Sequence, residues 1–230
     1  MIIKIIKIKL KEKKMNENNT EVYPKMFTWL FIGLLITFAS GYALSQNLSL
    51  LSQILSIGII PIIVIELVIA IVLSIRLAKM NPLTMKILYV VYCIVTGITF
   101  ATLFIVYELT SMIGIFMITA IIFGLLALYG YTTKRDLTKL GTILLIALIG
   151  TIIGELLNML IFRNASLNLG ITVLGVFIFV AYIAYDVNKV KDLVLYAGED
   201  RAAVYGAFSL YLDFINLFVR LLELFGKRND

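Results

Sequence analysis

Apolar runs dominate this chain and are divided by short polar breaks. A helix needs about 20 mostly apolar residues to cross a bilayer, and seven segments approach or exceed that length: Phe27–Leu44, Ile54–Leu77, Met85–Tyr107, Met112–Tyr131, Leu140–Phe162, Leu167–Val187 and Val204–Phe225. The breaks carry stop signals, "AKMNP" after the second segment and "TTKRD" after the fourth. Linkers are short and no inverted repeat is visible. The pattern predicts an all-α integral membrane protein of seven helices, with an N-terminal segment over 1–22, a single transmembrane domain over 23–226 and a tail over 227–230.

The seventh segment departs from the others. Ser209, Asp213, Asn216, Arg220 and Glu223 recur at spacings of four and three, which places them on one helix face opposite Leu, Phe, Ile and Val. Ionisable residues inside a membrane almost always face a bundle interior or a watery cavity. The stripe therefore reads either as polar glue between helices or as the wall of a functional path.

Composition excludes the soluble alternative. Of the 230 residues, 61% are hydrophobic and 15% charged, with mean hydropathy +1.03, against about 45–50% and about 25% in soluble domains. A single cysteine rules out an internal disulfide and a cysteine-based metal site. Histidine is absent, so a response near neutral pH has to come from interacting carboxylates or from the termini. Cys93 reads as core, Trp29 as packing or an interfacial anchor, and Gly150 with Gly154 as a helix-packing pair.

The net charge of +6 lies in short loops, which points to membrane topology and away from nucleic acid. Lys79 and Lys86 follow the second segment, Lys134, Arg135 and Lys139 the fourth, Lys189 and Lys191 the sixth. These loops and the N-terminus are expected in the cytoplasm. Lys227 and Arg228 pull the other end inward too, so the last segment either crosses or re-enters. Met15 offers a second start, and Met1–Lys14 is expected to be a disordered or misannotated extension.

Other segments hold partners for the stripe. The second carries Glu66 and Arg76, and the sixth ends on "AYIAYDVNKVK" with Asp186 in its last turn, flanked by Tyr182 and Tyr185. A rise of about 1.5 Å per residue allows two layers: Asp186, Asp213 and Arg76 near the cytoplasmic face, and Glu66 with Arg220 deeper. Glu155, beside Asn158 in the fifth segment, either lines an outer vestibule or snorkels to the interface. No nucleophile–base pair, metal motif or phosphate loop accompanies them, so an enzyme is not expected.

Four stretches resemble the Bax inhibitor family, the transmembrane Bax inhibitor motif proteins, in a bacterial form: "KMNPLTMKILYVVYCIVTGITFATLFIVYELTS", "ALYGYTTKRDLTKLGTILLIALIGTIIGELLN", "AYIAYDVNKVKDL" and "GEDRAAVYGAFSLYLDFINLFVRLLELFGKR". The resemblance covers the chain from about Tyr23 onward. It implies six helices around a central seventh, and a pH-sensitive calcium leak sensed by aspartates of helices six and seven that an arginine of helix two holds. Those roles fall on Asp186, Asp213 and Arg76, and a deeper acid–arginine contact on Glu66 and Arg220, with Asn216 and Glu155 in the same layer. Two positions depart from the family: Asp186-Val187-Asn188 replaces Asp-Thr-Gln, and Glu155 stands where a small residue is expected.

Physically, two carboxylates at one site cannot both ionise freely, and they titrate as a pair. Calcium prefers oxygen ligands, 6–8 of them in a full cage, so the aspartates are expected to bind it weakly and transiently during passage. No cofactor is expected. The competing reading is a monomeric membrane protein that modulates a membrane protease or a stress response without conducting ions. In either case the expected location is a bacterial inner membrane, with lipid as the surrounding partner.

Overall fold

The computed structural model describes the backbone of residues 2–76 and 79–229, and the side chains of 21–58, 60–76 and 79–229. The expectation of a disordered Met1–Lys14 falls on residues whose side chains lie outside that set. The described chain is helical nearly throughout: α1 (Ile2–Ser45), α2 (Leu48–Ser56), α3 (Ile59–Ile75), α4 (Pro82–Val106), α5 (Leu109–Thr132), α6 (Thr138–Leu157, continued as a π-helix over Asn158–Phe162), α7 (Ala165–Ala197) and α8 (Glu199–Phe225). Among the described residues six helices are long and apolar enough to cross a membrane, seven if α2 and α3 count as one span.

The expected straight second span is instead broken, with α2 and α3 meeting at 80°. Gly58 sits between them at φ 98°, a conformation that only glycine adopts without strain. Pro61 follows in the first turn of α3, where its missing N–H costs nothing.

The sixth helix is also longer than its apolar run. α7 continues past Val187 to Ala197, about 50 Å in all, which exceeds the roughly 30 Å of hydrocarbon. Charges at Lys189, Lys191 and Asp192 do not stop it, because Lys189 bonds Asp192 one turn on at 3.0 Å. It stops at Gly198, φ 83°, the left-handed residue that commonly ends a helix. α8 then begins with Glu199 and Asp200 in its first turn, where acidic groups suit the helix dipole. Asp186 is therefore well inside α7, and Asp213 is about 21 Å along α8.

The chain forms two compact units, Met1–Ala101 with Lys189–Phe208, and Thr102–Asn188 with Ser209–Asp230. In the first, Thr37 on α1 donates to the Cys93 carbonyl of α4 at 2.9 Å, and Tyr89 donates to the Trp29 carbonyl at 3.0 Å. Cys93 is fully buried, and Trp29 packs edge-on to Tyr89, as the sequence suggests. Phe208 on α8 meets Tyr89 and Tyr92 edge-on. Arg201 reaches the Met80 carbonyl at 2.8 Å, and Lys25 pairs with Glu199.

In the second unit, α5 packs on the apolar face of α8 through Phe116 and Phe123 against Phe214, and Phe116 against Phe218. α5 and α7 touch backbone to backbone at Gly130 and Ala184. The expected Gly150–Gly154 packing pair holds only in part: Gly154 meets Ile171, whereas Gly150 faces open space.

The end of α8 is strapped to the α4–α5 turn. Glu108 N donates to the Lys227 carbonyl, Asn229 N to the Val106 carbonyl and Lys227 N to the Ser111 hydroxyl, each at 2.9 Å. The Lys227 ammonium pairs with Glu108 at 2.5 Å, and Arg228 lies over the Tyr107 ring. α8 runs unbroken over Glu199–Phe225 to this strap and is long and apolar enough to cross a membrane.

Candidate functional site

α8 is the most buried of the long helices, 67% of its apolar window against 17–39% in the others. That burial is what lets an apolar-looking helix carry charge: Asp213 and Arg220 on its polar face are buried, while Glu223 near its end is exposed. The face is answered from α7. Asn168, Thr172, Gly175, Phe179, Tyr182 and Asp186 recur at spacings of four and three, the periodicity of the α8 stripe run in the opposite direction.

At one end of this seam the Asp186 and Asp213 side chains meet. Asp213 is buried, and its Oδ2 has no hydrogen-bond partner. Tyr182 approaches both carboxyls and packs edge-on to Tyr185. The Tyr185 ring fills the space beside Gly141 of α6, which a β-carbon there would close. Two residues past Asp186, Asn188 donates to the Gly130 and Thr133 carbonyls at 3.3 and 3.4 Å. The departure at this position thus ties α7 to the end of α5 and fixes the turn that bears Asp186.

Asn216 gives its amide to the Leu212 carbonyl of its own helix at 2.7 Å, a bond internal to α8. Farther along, Arg220 Nη2 donates to Glu155 Oε1 at 2.6 Å. Its guanidinium lies 5.5 Å over the Phe179 ring and occupies the space that Gly175 leaves open. Glu223 closes the seam, accepting from Asn168 at 2.5 Å and from Thr172 at 3.1 Å.

The carboxylate that pairs with Arg220 is therefore Glu155, not the expected Glu66. Glu155 stands one turn before the π-helix on α6, and its half-exposed side chain reaches the α8 stripe at Arg220. Glu66, in the first unit, faces Thr96 and Thr99 of α4, with Tyr92 beside them. Arg76 caps the C-terminal end of α3 with its side chain exposed. Among the described residues no group of three or more His, Cys, Asp or Glu gathers to hold a metal. Two carboxylates alone suit passage of a hard cation better than its storage.

Sequence reasoning missed the α7 half of the seam. Its signal was present in the spacing, but Gly, Phe and Thr do not stand out as polar partners. The Glu223 contacts and the tail strap were missed for the same reason: each joins residues distant in sequence through ordinary side chains and backbone groups.

Comparison with known proteins bears on the whole chain. The family described as "Inhibitor of apoptosis-promoting Bax1" matches residues 19–230. The inner membrane protein YbhL of Escherichia coli K12 is 36% identical over 219 residues, covering 89% of this chain and 90% of its own. A protein of Borreliella burgdorferi is 38% identical over 213 residues, covering 90% and 91%. One of Deinococcus radiodurans is 32% identical over 233 residues and covers both chains fully.

Proposed function

The chain belongs to the Bax inhibitor family, and from that premise we propose that it is a pH-sensitive calcium leak channel of a bacterial inner membrane, with its N-terminus in the cytoplasm. The observation that carries the reading is the meeting of Asp186 and Asp213 inside a membrane bundle, with one Asp213 oxygen buried and without a partner. Two carboxylates so placed repel when both are charged and attract when they share one proton. In the protonated pair α7 and α8 are held together, and the path is closed. When the shared proton leaves, repulsion drives α8 from α7, and the freed carboxylate oxygens become ligands for a passing calcium ion. The sign follows directly: the closed state binds the extra proton, so it is favoured at low pH and lost as pH rises.

The role of the arginine falls on Arg76 by family resemblance. Asn216, Glu155, Arg220 and Glu66 supply the remaining intramembrane polar groups of the proposed path. The protein alone in liposomes loaded with a calcium indicator tests the reading. A calcium flux that changes with pH supports the channel. Liposomes that stay as tight as protein-free ones at every pH would leave the family's other role, modulation of a partner membrane protein.

A further inference from the structure

We infer that the Glu155–Arg220 ion pair is the fixed point about which α8 moves, and that Glu155 is a positioning residue for the gate. The inference rests on the channel reading above for the word gate, and on the geometry of the second unit for the anchor. Arg220 is only 9% exposed. Its guanidinium is held on three sides, by Glu155 at 2.6 Å, by the Phe179 face and by the Gly175 backbone. Arginine stays charged at any physiological pH, so its need for a counter-charge does not switch off when protons move.

The two ends of the seam therefore differ in kind. At the Asp213 end, α8 is tied to α7 by a contact whose sign depends on one proton. At the Arg220 end it is tied to α6 by an ion pair, to α7 by Glu223 with Asn168 and Thr172, and to the α4–α5 turn by the tail. α6 is otherwise the least buried of the long helices, 17%, so packing alone holds it weakly and the directional link to Arg220 matters more. Within the second unit, the stretch of α8 from Ser209 onward is thus secured at Arg220 and switchable at Asp213, so it pivots about Arg220 and does not slide. Removing Glu155 frees the pivot and leaves a buried guanidinium without its partner, a costly state.

The test uses the full chain with Cys93→Ser and spin labels at Gly150→Cys, where the backbone faces open space, and at Phe225→Cys, which is 73% exposed. The anchor predicts one narrow α6–α8 distance at every pH. Glu155→Gln should broaden that distance and raise basal calcium leak about fivefold, while the pH midpoint of the leak stays where it was. The exchanged pair Glu155→Arg with Arg220→Glu, or the conservative Glu155→Asp, should restore both readouts at least in part. A narrow distance and an unchanged leak in a folded Glu155→Gln protein would overturn the anchor, as would a shift of the pH midpoint. If the unsubstituted protein carries no calcium, the channel reading fails, and the distance measurement alone decides the anchor.

Discussion

Gly130 on α5 lies so close to Ala184 on α7 that a β-carbon on it would overlap the Ala184 carbonyl. Asn188 closes the same contact by donating to the Gly130 carbonyl at 3.3 Å. This crossing sets where Asp186 stands, one half-turn beyond Ala184. Gly130→Ala should force the two backbones apart and cost about 1–3 kcal/mol, read as a lower melting temperature in detergent. Melting unchanged from the parent would mean that the helices part freely there.

The strap between the tail and the α4–α5 turn fixes which ends share a side. Asn229→Cys at the tail and Met159→Cys at the exposed end of α6 should label together with a membrane-impermeant thiol reagent, in a Cys93→Ser background. Arg135→Cys and Lys189→Cys should label from the opposite side, which the basic loops assign to the cytoplasm. Labelling of Asn229→Cys and Arg135→Cys from the same side would contradict a crossing α8.

Much of this architecture is legible in the sequence, because hydrocarbon imposes a length and the basic loops impose a rhythm. The helical class, the stripe on α8 and the burial of Cys93 follow from spacing and composition alone. Where the chain misleads, local chemistry competes with hydropathy. Gly58 and Pro61 break an apolar run that reads as continuous, and the helix carrying Lys189 and Asp192 runs on past the end of its apolar stretch. The partner of Arg220 was illegible for another reason. Depth along a helix ranks Glu66 as suitable, but rotation about the helix axis decides contact, and Glu155 is the carboxylate found at bonding distance from Arg220.

Arg76 gives a prediction that separates the family-derived role from the α7–α8 geometry. Its side chain is exposed at the end of α3, so Arg76→Ala should leave the folding stability within about 0.5 kcal/mol of the parent. If the arginine steadies the closed state, basal calcium leak should rise at low pH, where the parent is tight. A folded Arg76→Ala protein with the parental leak at every pH would remove Arg76 from the gate.

The shared proton of Asp186 and Asp213 is the central claim, and the pH profile of calcium flux in liposomes tests it most directly. A change of about 1.4 kcal/mol in the balance of open and closed states alters their ratio about tenfold, well within what one proton between two carboxylates supplies. The parent should be tight at low pH and leak as pH rises. Asp213→Asn and Asp186→Asn each leave one carboxyl without a titrating partner, so each should flatten that profile whatever it does to the size of the flux. If both variants, folded and reconstituted to the parental level, kept the parent's pH midpoint and slope, the proton would not be shared between these two residues.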